Sequence, residues 1–431
     1  MASHKTGGDF LIRGNGGIRK LQGKIAVSGA KNAAIKVMAA SFLFEDEVRL
    51  RNIPEIEDLF HIAKILESVG VSADFPEKHT VLLKSQKNIG NEISNELGSK
   101  TRSSIVLTAP ILARTGKVVF GNPGGCNLGE RPIDLWLDGY RKMGANVKEE
   151  NGLFKVEAKN GKLRGAEIFF KVQSHTATEG MMLAACLAEG KTVLKNCALE
   201  PEVKSLADFL NSCGAKIDGA GTHTITVQGT GLLSAKGKEY ITIPDRIEAG
   251  SFLILGALAA KELVIEKCEP KHFEIVTEIL RSVGSEVEIA ADTATVRGGK
   301  PFKALPVRTH EYPGLATDLQ APMAVLLSQM EGKSSLFETI YEGRLNYLPE
   351  LQKMGVGAKL KDSHRAIING PSKLTGCETT ALDIRSGMAL IIAAAIAEGE
   401  TFIHNAYMVD RGYDRIEERL RGIGMGIERI V

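Results

Sequence analysis

The stretch GNPGGCNLGERP, residues 121 to 132, sets one thiol, Cys126, in a glycine-rich polar loop with Arg131 five residues on. Glycine at this density marks backbone that must move or must approach something closely. A thiol beside a cation has a lowered pKa and serves as nucleophile or proton donor. No histidine lies near Cys126 in sequence, which weighs against a Cys-His hydrolase. The other cysteines (186, 197, 213, 268 and 377) are sparse and irregularly spaced, four of the six in apolar helix or strand contexts. That pattern reads as free thiols in a reducing cytoplasm. No CxxC pair or His/Cys cluster points to a metal site.

Cations recur at element edges. In SGAKNAA, Lys31 and Asn32 open a helix, and a lysine at a helix N-terminus is a natural anion site; a solvated lysine beside a cap is the plainer reading of that motif alone. Arg102 opens the helix of SKTRSSIVL, and Arg385 opens that of LDIRSGMAL two residues after Asp383. Arg344 in IYEGRLNY and Arg411 in MVDRGYDRIE each follow a strand. Any one of these arginines is most simply a surface ion pair; with Arg131, five at corresponding edges suit bidentate capture of carboxylate and phosphate oxygens. Asp318, in the Gly/Pro-flanked YPGLATDLQAP, either caps the following helix or acts as a general base, which needs a substrate hydroxyl within about 3 Å and a cationic neighbour. Asp383 has three roles open: capping its helix, holding Arg385, or touching the reacting centre.

These residues need a scaffold, and the chain announces one by repetition. An apolar helix end followed by glycine and a short strand recurs as LESVGV, YRKMGA, LNSCGA, LRSVGS, LQKMGV and LRGIGM. The glycines, at 70, 144, 214, 284, 355 and 424, are spaced 74, 70, 70, 71 and 69 residues apart. Glycine just past an apolar helix is the expected stop. An alanine-rich helix precedes each landmark, so a repeat reads as helix, strand, helix, strand, strand. The sixth repeat ends at IERIV without its last strand, and DFLIRGNGGIRKLQG at the other end of the chain supplies a piece of that kind. The expected organisation is an α/β protein of two domains, one of residues 31–243 and one of residues 1–30 with 244–431. Ligands are expected in the cleft between two such domains.

Bulk properties narrow the class. Across 431 residues, 54 basic and 52 acidic side chains leave a net charge of +2, which excludes a general nucleic-acid or membrane-surface binder. The longest apolar runs, such as MALIIAAAIA, have about half the length of a membrane helix. The polar start MASHKTGGDF lacks the apolar core of a signal peptide. A cytoplasmic location follows as an expectation, and no oligomeric state is read from the sequence.

SGAKNAA, PGGCNLGERPIDL, LAEG, EPEV, PDRIEAG, ATDLQA, YEGR, ALDIRSG and DRGYDRIEERL, in that order along the whole chain, resemble the UDP-N-acetylglucosamine enolpyruvyl transferases. The sister 3-phosphoshikimate enolpyruvyl transferases share the sixfold repeat but have no such cysteine loop. The resemblance implies two inside-out α/β barrels, each of three βαβαββ-type repeats. It implies transfer of the enolpyruvyl group of phosphoenolpyruvate to the 3-hydroxyl of UDP-N-acetylglucosamine, without a cofactor or metal, at the entry to peptidoglycan synthesis. By the same resemblance Cys126 is the general acid and the target of fosfomycin, and Asp318 is the base. Lys31, Arg131 and Arg411 hold phosphate; Arg344 and Arg385 grip the carboxylate; Asn32 and Asp383 complete the pocket. Arg102, the run Arg131, Pro132, Ile133, Asp134 and Leu135, Asp318 and Ile340 contact the UDP-sugar, and Glu200 and Asp245 match positions beside the cleft.

One stretch departs from the family. Where Ser-Val-Gly-Ala-Thr is common near the nucleotide, this chain reads FKVQSHTATEG: Ser174 matches, while His175 and Thr176 replace the small apolar pair, and the resemblance sets Ser174 and His175 among the substrate-binding residues. Trp136, the sole tryptophan, is expected to pack the helix that anchors the loop; stacking on the base is the alternative. Two further readings stand beside the resemblance: an enolpyruvyl transferase acting on another nucleotide, as in nucleoside-antibiotic synthesis, and a silent paralogue that binds UDP-sugar. The second predicts losses among Lys31, Cys126, Asp318, Arg385 and Arg411, and all five are present.

Overall fold

The computed structural model describes residues 7–124, 132–299 and 303–430. Cys126 and Arg131, the two outstanding candidates of the glycine loop, lie outside the described residues.

Six sheets carry the chain, and five of them share one complete plan. Strand Glu167–Phe169 pairs parallel with Lys191–Lys195, which pairs antiparallel with Thr224–Gln228, which pairs antiparallel with Lys216–Asp218. The same order recurs around Val48–Arg51, Ala260–Glu266, Gly332–Phe337 and Glu400–His404. In the sixth sheet, Lys117–Gly121, Leu153–Ala158 and Ala145–Glu150 are strands, and the parallel edge is the single bridge Glu92–Val119. The edge strands escape a sequence reading because most are three residues long, too short to show a period of two.

The two ends of the chain meet in one sheet. Asp9–Arg13 lies antiparallel between Glu400–His404 and Gly426–Ile430, the place that Thr224–Gln228 holds in its own sheet. All six landmark glycines have φ between +85° and +107°, the left-handed conformation that ends a helix and that side chains resist.

Among the described residues, 29–124 with 132–243 form one compact unit, and those up to Ser28 with those from Pro244 on form the other. Three sheets belong to each. In both, the alanine-rich helix of each repeat is buried on every side. In Ile384–Ile396 all thirteen residues are buried, and in Arg246–Ala259 all but Arg246. Strands alternate buried and open positions, with one face against these helices. The arrangement inverts an ordinary barrel by placing apolar helices inside and half-polar sheets outside. Small residues permit the close approach. A Cβ at Gly250 would stand 2.7 Å from Leu319 Cδ1, and one at Gly387 would stand 2.5 Å from Val409 Cγ2. Among the described residues no helix is long and apolar enough to cross a membrane.

Candidate active site

In the unit containing both chain ends, the 3-10 turn Thr317–Leu319 runs straight into the buried helix Gln320–Ser328. Asp318 does not cap that helix; both of its oxygens meet arginines. Oδ1 accepts from Arg344 Nη2 at 2.7 Å, and Oδ2 accepts from Arg385 Nε at 2.9 Å with Nη2 at 2.8 Å. Both guanidinium side chains are nearly buried, at 4% and 5% exposure, whereas Asp318 is 27% open. Burial, the largest single influence, would lower the arginines' pKa values; Asp318, joined by Asp383 at Arg344 and by Tyr413 and Asp245 at Arg385, holds both above the ordinary value. Arg385 Nη1 is buried without a hydrogen-bond partner, so this fork has a donor to spare.

Asp383 takes the first of its three open roles. Its Oδ1 accepts from the backbone N–H of Arg385 at 2.7 Å and of Ser386 at 3.0 Å, and Ser386 Oγ in turn accepts from the Asp383 N–H. This capping box fixes the helix start and hence the root of the Arg385 side chain. Asp245 caps Arg246–Ala259 by accepting from the N–H groups of Ile247 and Glu248; its burial pushes its carboxyl up, with Arg385 opposing.

Sequence reasoning missed Glu338. Fully buried, it accepts from Thr317 Oγ1 at 2.9 Å and from the backbone N–H groups of Ile340 and Tyr341 at 2.8 and 3.2 Å. It ties the turn holding Asp318 to the segment holding Ile340 and Arg344. Nothing in its type or spacing sets it apart in a chain this rich in glutamate.

Arg411 is 8% exposed and ends the short helix Tyr407–Asp410, which follows the strand Glu400–His404. Its neighbour Asp410 is bound by Arg429 of the last strand through two bonds of 2.7 and 2.8 Å, and Arg429 also holds Glu417. Burial opposes the Arg429 charge, yet bonds from Glu417 and Asp410 raise its pKa. The chain's final strand therefore anchors the segment that presents Arg411.

In the other unit Lys31 is the first residue of Lys31–Ala40, and its Nζ lies 2.5 Å from Asp58 Oδ2. The lysine is almost buried, so it is not the solvated residue of the plainer reading. Asn32 follows it, partly exposed. Arg102 stands in the turn before Ser104–Thr115 rather than within that helix, and its Nη groups donate to the carbonyls of Pro123 and Pro132 at 3.3 and 3.4 Å. One side chain thus joins the two described ends of the cysteine loop. At the loop's root, glycine serves close approach: a Cβ at Gly124 would stand 1.5 Å from the Ser99 carbonyl oxygen.

Ile133 and Asp134 begin the helix Asp134–Lys142, with Leu135 partly buried behind them. Trp136 packs as expected: it is 4% exposed, and a Cβ at Gly180 would stand 2.1 Å from its ring. Gly180 belongs to the helix His175–Cys186, which Ser174 caps through a bond from the Ala177 N–H at 3.2 Å. The loop's anchor helix and the helix bearing His175 therefore lock through one tryptophan on one glycine. Cys186 and Cys197 are buried thiols pushed up to about 12 by that burial, and Cys268 to about 11. Such thiols are poor nucleophiles and poor proton donors at neutral pH.

Residues 16–420 match the family described as EPSP synthase (3-phosphoshikimate 1-carboxyvinyltransferase). The chain is 42% identical over 423 residues to the UDP-N-acetylglucosamine 1-carboxyvinyltransferase of Halothermothrix orenii, covering 98% of this chain and all of the relative. A relative of the same name from Koribacter versatilis is 41% identical, with 98% and 96% covered. Among solved structures, the enolpyruvyl transferase NikO from Streptomyces tendae superposes with a TM-score of 0.85 at 23% identity, covering 98% of this chain and 99% of that one.

Proposed function

The chain belongs to the enolpyruvyl transferase family that includes EPSP synthase, and from that premise we infer its reaction and the part each residue plays. The enolpyruvyl group of phosphoenolpyruvate passes to the 3-hydroxyl of UDP-N-acetylglucosamine, phosphate leaves, and the product enters peptidoglycan synthesis in the cytoplasm. Near-full-length identity of about two-fifths to relatives named for that reaction supports the substrates. The observation that carries the chemistry is the Asp318, Arg344 and Arg385 cluster, in which nearly buried cations await an anion.

In the addition step Cys126 gives a proton to C3 of phosphoenolpyruvate, the sugar oxygen bonds to C2, and Asp318 takes the hydroxyl proton. The tetrahedral ketal then returns a proton from the new methyl group to the Cys126 thiolate as the C2–O bond to phosphate breaks, and the Asp318 proton leaves with the phosphate. Lys31, Arg131 and Arg411 bind the phosphate. Cations placed in advance around developing charge are worth about 2–4 kcal/mol each in the barrier. Arg344 and Arg385 hold the carboxylate, with the free Nη1 of Arg385 as an extra donor.

Asp318 then has two states. Bridged by two guanidinium groups it is a weak base, because its ionised form is stabilised. When the substrate carboxylate takes over those arginines, Asp318 gives up these two cations and its basicity rises at the moment a hydroxyl needs deprotonation. Ser174, Ile133 to Leu135 and Ile340 shape the UDP-sugar site, with Arg102 holding the loop ends and Glu338 holding the Asp318 turn.

Turnover in D2O tests addition followed by elimination. Protonation at C3 and later loss from a freely rotating methyl group place deuterium in the vinyl group of the product. Deuterium absent from product and from recovered phosphoenolpyruvate would overturn addition followed by elimination.

A further inference from the structure

The mechanism leaves one group of buried charges unused. Lys36, on the helix Lys31–Ala40, has a side chain only 2% exposed, and Glu179, on His175–Cys186, is fully buried. Lys36 Nζ lies 3.1 Å from Glu179 Oε2 and 3.3 Å from Nδ1 of His175, while Nδ1 stands 3.5 Å from the same carboxylate oxygen. Neither Glu179 oxygen has a well-formed hydrogen bond, so Lys36 is the group that balances its charge. The His175 side chain is 32% exposed, the only member of the three open to solvent.

An ammonium group has donors and no acceptor. A nitrogen 3.3 Å from it accepts when the ring proton sits on Nε2, whereas a proton on Nδ1 would turn to Glu179 Oε2 at 3.5 Å, the longer of the two contacts. We propose that Lys36 and Glu179 are positioning residues that lock the His175 tautomer, presenting Nε2–H as a fixed donor to an acceptor oxygen of the bound uridine nucleotide. This rests on the reaction inferred above for the identity of the nucleotide, and on the resemblance of the stretch around Ser174 for its place beside His175. It gives a purpose to the histidine found where small apolar residues are common, and to a buried ion pair that is otherwise a cost to the fold. A donor locked in advance sheds the alternative tautomer before binding, which raises affinity without a new contact.

The test is spectroscopic first. In protein labelled with nitrogen-15 histidine, ring shifts of His175, assigned by the loss of its signals in His175→Gln, report which nitrogen bears the proton. The expected result is bare Nδ1 and protonated Nε2. A ring protonated at Nδ1 overturns the proposal. Removing Lys36 alone would leave a buried charge, so the comparison is the paired change Lys36→Met with Glu179→Leu. There the ring should become a mixture of tautomers, and KM for UDP-N-acetylglucosamine should rise about tenfold, far more than kcat falls. An unchanged KM with the tautomer released overturns the proposal.

A second pair, His175→Gln and His175→Asn, lies at the open edge and spares the buried charges. The glutamine amide nitrogen reaches the place of Nε2 and should bind the nucleotide near the wild-type level, whereas the shorter asparagine should lose about tenfold; equal affinities overturn the proposal. Uridine and UDP as separate ligands distinguish a carbonyl of the base from a diphosphate oxygen: a loss shared by both assigns the base, and a loss confined to UDP assigns the diphosphate. If no phosphate is released with UDP-N-acetylglucosamine, the reaction reading fails, while the ring tautomer is still read independently.

Discussion

Replacing Asp318 by asparagine separates its two states, because the change removes charge and basicity while nearly keeping shape. In the free protein Asp318 neutralises Arg344 and Arg385 at 2.7–2.9 Å between donor and acceptor. A unit charge pair about 4 Å apart contributes ~4 kcal/mol at an effective dielectric of 20. An incoming carboxylate must displace that interaction before it gains the same arginines. If only a third of one pair is relieved, about 1.4 kcal/mol, phosphoenolpyruvate binds about tenfold more tightly to Asp318→Asn. Turnover falls by about 10²–10⁴ with the base gone. Fold stability also falls, because two nearly buried cations lose their partner; the 27% exposure of Asp318 keeps this below the ~3–5 kcal/mol of a fully buried pair. Titration calorimetry with phosphoenolpyruvate, steady-state rates, and melting curves with and without phosphoenolpyruvate measure the three in turn. The stabilisation by phosphoenolpyruvate should be larger in the variant than in wild type. Weaker binding of phosphoenolpyruvate to Asp318→Asn would refute the exchange of carboxylates.

Other expectations follow the same logic. Cys126→Ser loses most activity and escapes alkylation by fosfomycin; mass spectrometry of the intact protein checks the adduct, and a wild-type rate would remove Cys126 as general acid. Gly180→Ala drives a methyl group into Trp136 and costs about 1–3 kcal/mol by overpacking, read as a lower unfolding midpoint in urea. Glu338→Gln keeps one acceptor for three donors, so activity falls while the carboxylate cluster itself is untouched; steady-state kinetics at saturating substrate show it. Asp46 receives bonds from Ser234 Oγ and the N–H groups of Ala235 and Lys236. Burial opposes its charge, but these bonds prevail and depress its pKa. Its folded value lies below the unfolded one, so its stabilisation is present at neutral pH and fades as pH falls below about 4. Asp46→Asn should therefore destabilise at pH 7 and converge with wild type in acid.

The periodic part of this protein was open to sequence reading, and the solitary part was not. Gly70, Gly144, Gly214, Gly284, Gly355 and Gly424 each mark the same turn, and six repetitions make the pattern visible above noise. Asp318 and Arg385 stood out because glycine, proline and a cap motif frame them. Asp383 illustrates the limit: its type and place allowed three roles, and only the bonds to Arg385 and Ser386 selected capping. Glu338, Asp58 and Glu179 were invisible because each is one carboxylate whose meaning comes from a partner distant in sequence: Thr317, Lys31 and Lys36. The two-residue offset between Arg102 and the helix start reflects the usual fraying of boundaries inferred from composition.

The central claim is the transfer of an enolpyruvyl group to a UDP-sugar. Its most direct test is phosphate release from phosphoenolpyruvate by the purified chain with UDP-N-acetylglucosamine, UMP or shikimate 3-phosphate as acceptor. Release with UDP-N-acetylglucosamine, matched by an equal amount of its enolpyruvyl ether, is the predicted result. Release with UMP alone, or with no acceptor at all, would contradict it.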